Sequence, residues 1–145
     1  MQTDDSDAAI RHIYAQWHAC VVARDLTGLM ALYAEDAVFE TPLILATLPH
    51  KTEGVLRGKA EIGAFFDAGL RKLPGALGRW WRSGTFFANG RQLVWEYPRE
   101  TPQGDQIDLV EAIDVENGLI AHHRVYWGWV GFQSLQAIMA ASRET

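Results

Sequence analysis

Two residues near the end of the chain have the types and spacing needed for proton transfer. Glu111 and His123 lie in two stretches of alternating apolar and polar residues, which predict adjacent strands joined by a turn at residues 116–118. Histidine exchanges protons near neutral pH, and a neighbouring carboxylate orients the ring and stabilises its charged form. If both side chains face an apolar interior, they form a general acid/base pair. The alternative is a buried structural pair in which each partner satisfies the other's hydrogen bonds.

The composition is that of an ordinary globular protein. The 145 residues suit one domain, so we expect residues 1–145 to form a single unit. Hydrophobic residues make up 48% of the chain, and the six Trp and six Phe are many for this length. Large aromatic side chains fill cores, but they also line apolar ligand cavities.

Charge and hydropathy narrow the expected partners. The formal net charge is −5 and no run of Lys and Arg occurs, which predicts no nucleic-acid partner. No apolar stretch is long enough to span a bilayer, so no membrane partner is expected. The acidic N-terminal segment lacks a signal-peptide pattern, and the single cysteine, Cys20, cannot form an internal disulfide. A cytoplasmic location is therefore expected.

The first half of the chain shows mainly helical periodicity. A helix capped by Asp7 should begin the fold, and Pro42 should stop the first strand. The predicted elements are a helix at 7–24, a shorter helix at 25–33, a strand at 37–41, an apolar loop at 43–52 and a helix at 59–72.

The period then changes to that of strands. The predicted elements are strands at 79–87, 91–100, 106–115 and 119–130, followed by a helix at 132–141. Helices first and an antiparallel series of strands afterwards indicate an α+β domain, with helices packed on one face of a sheet. A three-residue hairpin loop within 101–105 would place one set of side chains on a shared inner face: Leu93, Trp95, Tyr97, Ile107, Leu109, Glu111 and Ile113.

The turn at residues 116–118 leaves two registers open. A two-residue Asn-Gly turn sets Glu111 opposite Arg124, whereas a three-residue loop sets it opposite His123. We favour the second register, because the first would bury a guanidinium group and expose two tryptophans. The favoured register places Ala121, His123, Val125, Trp127 and Trp129 inside and His122, Arg124 and Tyr126 outside.

Three segments carry a family resemblance. They are Leu32-Tyr33-Ala-Glu-Asp36-Ala-Val-Phe-Glu-Thr-Pro42, then Gly54-Val-Leu-Arg-Gly58-Lys-Ala-Glu-Ile62 with Phe65-Phe66, and the closing strands around Gly118. In these the chain resembles the SnoaL-like branch of the nuclear transport factor 2-like superfamily. The resemblance implies a cone-shaped fold, in which N-terminal helices pack in a strongly curved, mainly antiparallel sheet around an apolar cavity. It also implies a homodimer formed through the outer face of the sheet.

The resemblance extends to particular residues. Polyketide cyclases of this family use an inward Asp and His, which Glu111 and His123 resemble. Where ketosteroid isomerase has its catalytic Asp and its helix-one Tyr, this chain has Thr41 and Trp17, and Glu111 takes the place of the protonated Asp. The last-strand Asp of limonene epoxide hydrolase corresponds to Val125. The chain therefore lacks the complete catalytic set of either of these two enzymes.

These observations lead to one main hypothesis and two alternatives. The main hypothesis is a cofactor-independent acid/base enzyme, of the isomerase, cyclase or dehydratase type, acting on a small apolar or polycyclic carbonyl compound. The alternatives are a non-catalytic protein that binds a small hydrophobic ligand and an interaction module whose cavity is filled by its own aromatic residues. No metal or phosphate-binding motif is evident. The predicted cavity residues are Trp17, Tyr33, Thr41, Phe65, Trp95, Tyr97, Val125 and Trp127.

Overall fold

The computed structural model describes residues 2–72, 84–97 and 107–144, without the side chains of residues 2–6 and 72. These ranges contain five helices and six strands. The helices are α1 (Gln2–Ala23), α2 (Leu26–Met30), α3 (Leu43–Thr47), α4 (Lys59–Lys72) and α5 (Trp129–Arg143). The strands are β1 (Tyr33–Glu40), β2 (Val55–Arg57), β3 (Phe87–Ala88), β4 (Gln92–Tyr97), β5 (Leu109–Glu116) and β6 (Leu119–Trp127).

The strands form one curved sheet in the order β2-β1-β6-β5-β4-β3. Every neighbouring pair is antiparallel except β1 and β6, which run parallel. The helices that precede the main strands cover the inner face, and the predicted apolar stripe of α1 is buried there. The predicted α+β class is confirmed, with a mainly antiparallel sheet. No helix in the described ranges combines the length and the apolar character needed to cross a lipid bilayer.

The turn between β5 and β6 is the two-residue Asn-Gly form. Glu116 pairs with Leu119, and the two central residues, Asn117 and Gly118, have φ values of 51° and 74°. Positive φ at both central positions matches the right-handed twist of a hairpin, and asparagine and glycine adopt it at the lowest cost. The three-residue loop favoured from the sequence is therefore wrong.

A β-bulge at Ala121 reverses which side chains of β6 face the inside of the fold. The pairing shifts between Asp114 and Val115, and from there on Glu111 lies opposite Val125. Both registers predicted for Glu111 are thus wrong as pairings. The predicted facing of His123 is nevertheless right, because the extra residue turns the strand over. His123 is fully buried.

Several predicted boundaries need correction. Helix α1 begins at Gln2 rather than after a cap at Asp7, since the three aspartates within residues 3–7 suit the positive end of a helix. The second helix ends at Met30, and Tyr33 instead opens β1. Predicted loop 43–52 contains α3, whose Ile44 is buried, and Pro42 before it has the helical φ that suits a helix start.

The remaining corrections concern the second half. Strand β2 was not predicted, whereas the helix predicted at 59–72 is α4. Trp129, expected inside, is 64% exposed, because β6 ends at Trp127 and α5 begins at Trp129 itself, after the cap residue Gly128. The predicted loop at 101–105 and most of the predicted strand 79–87 lie outside the described residues.

Candidate active site

Glu111 and His123 are in direct contact inside the fold. The Nε2 atom of His123 lies 2.6 Å from Oε2 of Glu111, and their side chains are only 1% and 5% exposed. The strands that carry them are neighbours, so the sheet itself fixes the separation. Among the described residues, His123 is the only hydrogen-bond partner of this carboxylate, and it occupies one of the two oxygens.

The other ring nitrogen of His123 is also occupied. Its Nδ1 atom lies 2.8 Å from the hydroxyl oxygen of Tyr33, and that oxygen accepts a hydrogen bond from Nε1 of Trp17 at 3.1 Å. Trp17, Tyr33, His123 and Glu111 therefore form one buried hydrogen-bond chain. It joins α1, the start of β1, β6 and β5.

Aromatic and apolar side chains surround the buried hydrogen-bond chain. The His123 ring meets Phe39 edge-on at 4.9 Å between ring centroids and Trp17 at 5.8 Å. Glu111 lies between Trp95 on β4 and Val125 on β6, its two cross-strand partners. Such surroundings have a low effective dielectric constant, which strengthens the electrostatic effect of one carboxylate.

Burial and the charge of that carboxylate both affect the pKa of two tyrosine hydroxyls. Burial raises the pKa of Tyr33 well above its usual range, and the negative charge of Glu111 raises it further. The pKa of Tyr97 rises for the same two reasons, burial first. Both phenols therefore remain protonated at neutral pH and keep an O–H to donate.

Thr41 holds a tryptophan in place. Its Oγ1 accepts a hydrogen bond from Nε1 of Trp127 at 3.0 Å and another from the backbone nitrogen of Leu43 at 3.3 Å. Across the described ranges, the buried polar or charged side chains are Thr41, Glu111 and His123. Within those ranges no three His, Cys, Asp or Glu side chains form a group that could hold a metal ion.

The structure gives the predicted cavity residues different positions. Trp17 and Tyr33 belong to the buried hydrogen-bond chain, and Trp95 and Val125 flank Glu111. The others have separate contacts: Thr41 with Trp127, Tyr97 opposite Leu109, and Phe65 of α4 against Phe39. That they line a ligand cavity remains a prediction.

Phe39 was missed by the sequence reasoning. It pairs directly with His123 through the parallel β1–β6 contact. Its position two residues before Thr41 in the predicted strand 37–41 was a signal that both face inward. The partner strand of β1 was not evident, because β1 and β6 are far apart in the sequence.

A second histidine–carboxylate pair lies on the outer face of the sheet. His122 is hydrogen-bonded to Glu40, and Arg124 donates two hydrogen bonds to Asp114, each 2.8 Å long. The hydrogen bonds from Arg124 lower the pKa of Asp114. This pair is partly exposed, so it offers a matched comparison for the buried pair one residue further along the strand.

Comparison with known proteins identifies the family of this chain. The sequence profile described as the SnoaL-like domain matches residues 14–123. A SnoaL-like protein of unknown function from Burkholderia thailandensis superposes with a TM-score of 0.64 at 18% identity, over 83% of this chain and 95% of that one. An NTF2-like protein from Anabaena variabilis gives 0.61 at 15% identity, over 88% and 90%.

A third solved structure carries the name of an enzyme. A steroid delta-isomerase from Pseudomonas aeruginosa superposes with a TM-score of 0.58 at 22% identity, over 94% of this chain and 93% of that one. At these identities the likeness concerns the fold, and the predicted NTF2-like architecture is confirmed. A search of curated proteins finds no match.

Proposed function

Because this chain belongs to the SnoaL-like domain family, we propose that it is a cofactor-independent acid/base enzyme of the isomerase, cyclase or dehydratase type. The observation that carries the proposal is the 2.6 Å contact between Glu111 and His123, whose side chains are almost completely buried. A carboxylate and an imidazole in such surroundings are the usual components of enzymatic proton transfer.

The geometry favours Glu111 as the group that exchanges the proton with the substrate. Both nitrogens of His123 are already in hydrogen bonds, whereas the second Glu111 oxygen has no hydrogen-bond partner among the described residues. Glu111 would remove a proton from a carbon next to a carbonyl group, and the electron pair of that C–H bond would form the enolate. Return of the proton to another position completes an isomerisation. His123 would remain hydrogen-bonded to the carboxylate throughout.

The charge of the site limits the substrate class. The described buried side chains include a carboxylate but neither Lys nor Arg, so nothing there matches an anionic substrate. Trp17, Trp95 and Phe39 would instead contact an apolar surface. We therefore propose an uncharged, small apolar or polycyclic carbonyl compound. The fold shared with a steroid delta-isomerase makes polycyclic ketones the first compounds to screen.

The test is a substrate screen followed by matched variants. Proton exchange at carbon in deuterated water detects turnover of ketones even where the product equals the substrate. We expect Glu111→Gln and His123→Ala each to lower turnover by about 100-fold or more. The matched control is the outer pair, because Glu40→Gln and His122→Ala change the same residue types outside the proposed site. Turnover that survives both inner variants would falsify the proposal.

A second candidate function is binding without conversion. It is favoured by the same occupied imidazole, because a histidine held at both nitrogens has no free atom to take a substrate proton. Glu111 would then accept a hydrogen bond from a ligand hydroxyl. A compound that binds, loses affinity in Glu111→Gln, and shows no proton exchange supports this function over the first.

We also propose that the protein forms a homodimer through the outer face of the sheet. Two large side chains on that face are open to solvent, Phe87 at 74% and Tyr126 at 56%. Tyr126 is on β6, the strand that also carries His122 and Arg124, and Phe87 is on the edge strand β3. Aromatic residues are enriched at protein interfaces relative to the rest of the surface.

A further inference from the structure

The direction of each bond in the buried hydrogen-bond chain follows from its donors. The indole Nε1–H of Trp17 can only donate, so the Tyr33 oxygen is the acceptor of that 3.1 Å bond. The hydroxyl hydrogen of Tyr33 then needs an acceptor of its own. The acceptor within reach is Nδ1 of His123, at 2.8 Å.

The alternative arrangement leaves a donor unsatisfied. If Nδ1 of His123 carried a proton, it would have to donate to the Tyr33 oxygen, and the tyrosine O–H would point away from its one described acceptor. Tyr33 is 0% exposed, so bulk solvent does not replace the missing partner. A buried donor without an acceptor is strongly disfavoured.

We infer that Tyr33 is a positioning residue, which holds His123 as the neutral tautomer with a bare Nδ1 and with its single proton on Nε2, directed at Glu111. Trp17 supports this role by fixing the orientation of the Tyr33 hydroxyl. The inference deepens the proposed function, because a neutral imidazole leaves the full negative charge on Glu111. An imidazolium would neutralise the carboxylate and weaken it as a base.

The tautomer is measured directly on the full-length protein without a substrate. In a ¹⁵N-labelled sample at pH 7, two-bond ¹H–¹⁵N correlations of the histidine rings show which nitrogen carries a proton. The His123 signals are identified by their loss in His123→Gln. We expect a bare Nδ1 and a protonated Nε2. A proton on Nδ1 of His123 in the wild-type protein overturns the inference.

Variants test whether Tyr33 is the cause. Tyr33→Phe removes only the hydroxyl, and we expect a clear fraction of His123 rings to gain a proton on Nδ1. Trp17→Phe should also increase the fraction of His123 rings with a proton on Nδ1, but by a smaller amount. Tyr14→Phe is the control, because Tyr14 is also a buried tyrosine and its ring contacts Phe86 and Trp95 rather than Nδ1 of His123. An unchanged His123 pattern in Tyr33→Phe contradicts the positioning role, and if that variant does not fold, the wild-type spectrum and Trp17→Phe decide.

Different results would contradict the enzyme proposal and the tautomer assignment. A protonated Nδ1 together with a 100-fold loss of turnover in Glu111→Gln removes the role of Tyr33 and leaves the enzyme proposal intact. A bare Nδ1 together with no turnover on any compound leaves the tautomer assignment intact and favours ligand binding. With a substrate identified, Tyr33→Phe should lower kcat with KM almost unchanged, because Tyr33 acts through His123 rather than on the substrate.

Discussion

Glu111 and His123 touch along a diagonal of the β5–β6 pair rather than directly across it. Glu111 faces Val125 and His123 faces Ile113, yet the side-chain atoms Oε2 and Nε2 are 2.6 Å apart. Diagonal neighbours on a sheet are separated by about 7–8 Å at the backbone, so only long side chains meet. The full length of glutamate is therefore a requirement of this contact.

Shortening that carboxylate should be as harmful as neutralising it. Glu111→Asp withdraws the carboxylate by about 1.5 Å, the length of one C–C bond, and breaks the contact with Nε2. We expect turnover of a compound found in the ketone screen to fall about as far as in Glu111→Gln. Glu96→Asp, the same change at an exposed position of β4, is the control. Wild-type turnover in Glu111→Asp would show that the contact is dispensable.

The buried pair should show strong energetic coupling. His123→Leu leaves the Glu111 carboxylate buried without its partner, and we expect it to lower the free energy of unfolding by about 3–5 kcal/mol. Adding Glu111→Leu should restore part of that loss, because the unpaired charge is then gone. Urea denaturation of both single variants and the double variant measures the coupling. His122→Leu with Glu40→Leu on the outer face should give a coupling of about 1 kcal/mol or less. Equal couplings for the two pairs contradict this prediction.

Thr41 should stabilise the fold through the hydrogen bond that its hydroxyl oxygen accepts. Thr41→Val keeps the shape but removes the acceptor of the Trp127 indole, and we expect a loss of about 1–3 kcal/mol in unfolding free energy. Thr41→Ser keeps the acceptor and should lose less. Chemical denaturation followed by tryptophan fluorescence measures both variants. If Thr41→Val costs no more than Thr41→Ser, the hydrogen bond to Trp127 is not the main contribution of Thr41.

Asp114 should contribute an acid-sensitive part of the stability. Its hydrogen bonds with Arg124 lower its folded-state pKa below the usual 3.8, so the contribution is complete above that value. It is lost as the pH falls from 3.8 through the folded-state pKa. Urea denaturation from pH 6 down to pH 2 should show a shallower acid loss for Asp114→Asn than for wild type. Arg124→Gln should flatten the curve in the same way, and a slope unchanged in both variants counts against the linkage.

Dimerisation through the outer face should depend on Tyr126. We expect Tyr126→Lys to convert a dimer into a monomer, because it places a charge on a surface that would become buried. Light scattering coupled to gel filtration gives the mass. Leu45→Lys changes a residue of α3 that is 36% exposed and serves as the control. A dimer that persists in Tyr126→Lys and in Phe87→Lys uses another surface.

The sequence predicted the elements that have a local signal. Helix α4 carries a clear apolar stripe, and Gly58 before it has a φ of 89°, which glycine adopts readily. The shared inner face of β4 and β5 followed from their alternation, and Trp95 does lie opposite Glu111. Helix α3 has five residues, too few to establish a period, and was therefore predicted as a loop.

The geometry of the site depended on features with no local signal. The bulge at Ala121 inverts the facing of the rest of β6, and nothing in the pattern of apolar residues marks it. Glu111 and His123 were identified as partners although neither predicted pairing was right, because burial of Arg124 was the worse alternative. The contact of Tyr33 with His123 joins residues 90 positions apart. Local periodicity contains no information about such a contact.

That long separation has a consequence for the order in which the buried hydrogen-bond chain assembles. Glu111 and His123 are 12 residues apart, whereas Tyr33 and His123 are 90 apart. Closing the larger loop costs more chain entropy, so the β5–β6 hairpin is expected to form before Tyr33 and α1 pack against it. In that earlier state the carboxylate and the ring lie side by side in water, where neither tautomer is selected and the charge is screened. A newly synthesised or locally unfolded chain would therefore contain both residues in register and still lack the oriented His123 ring.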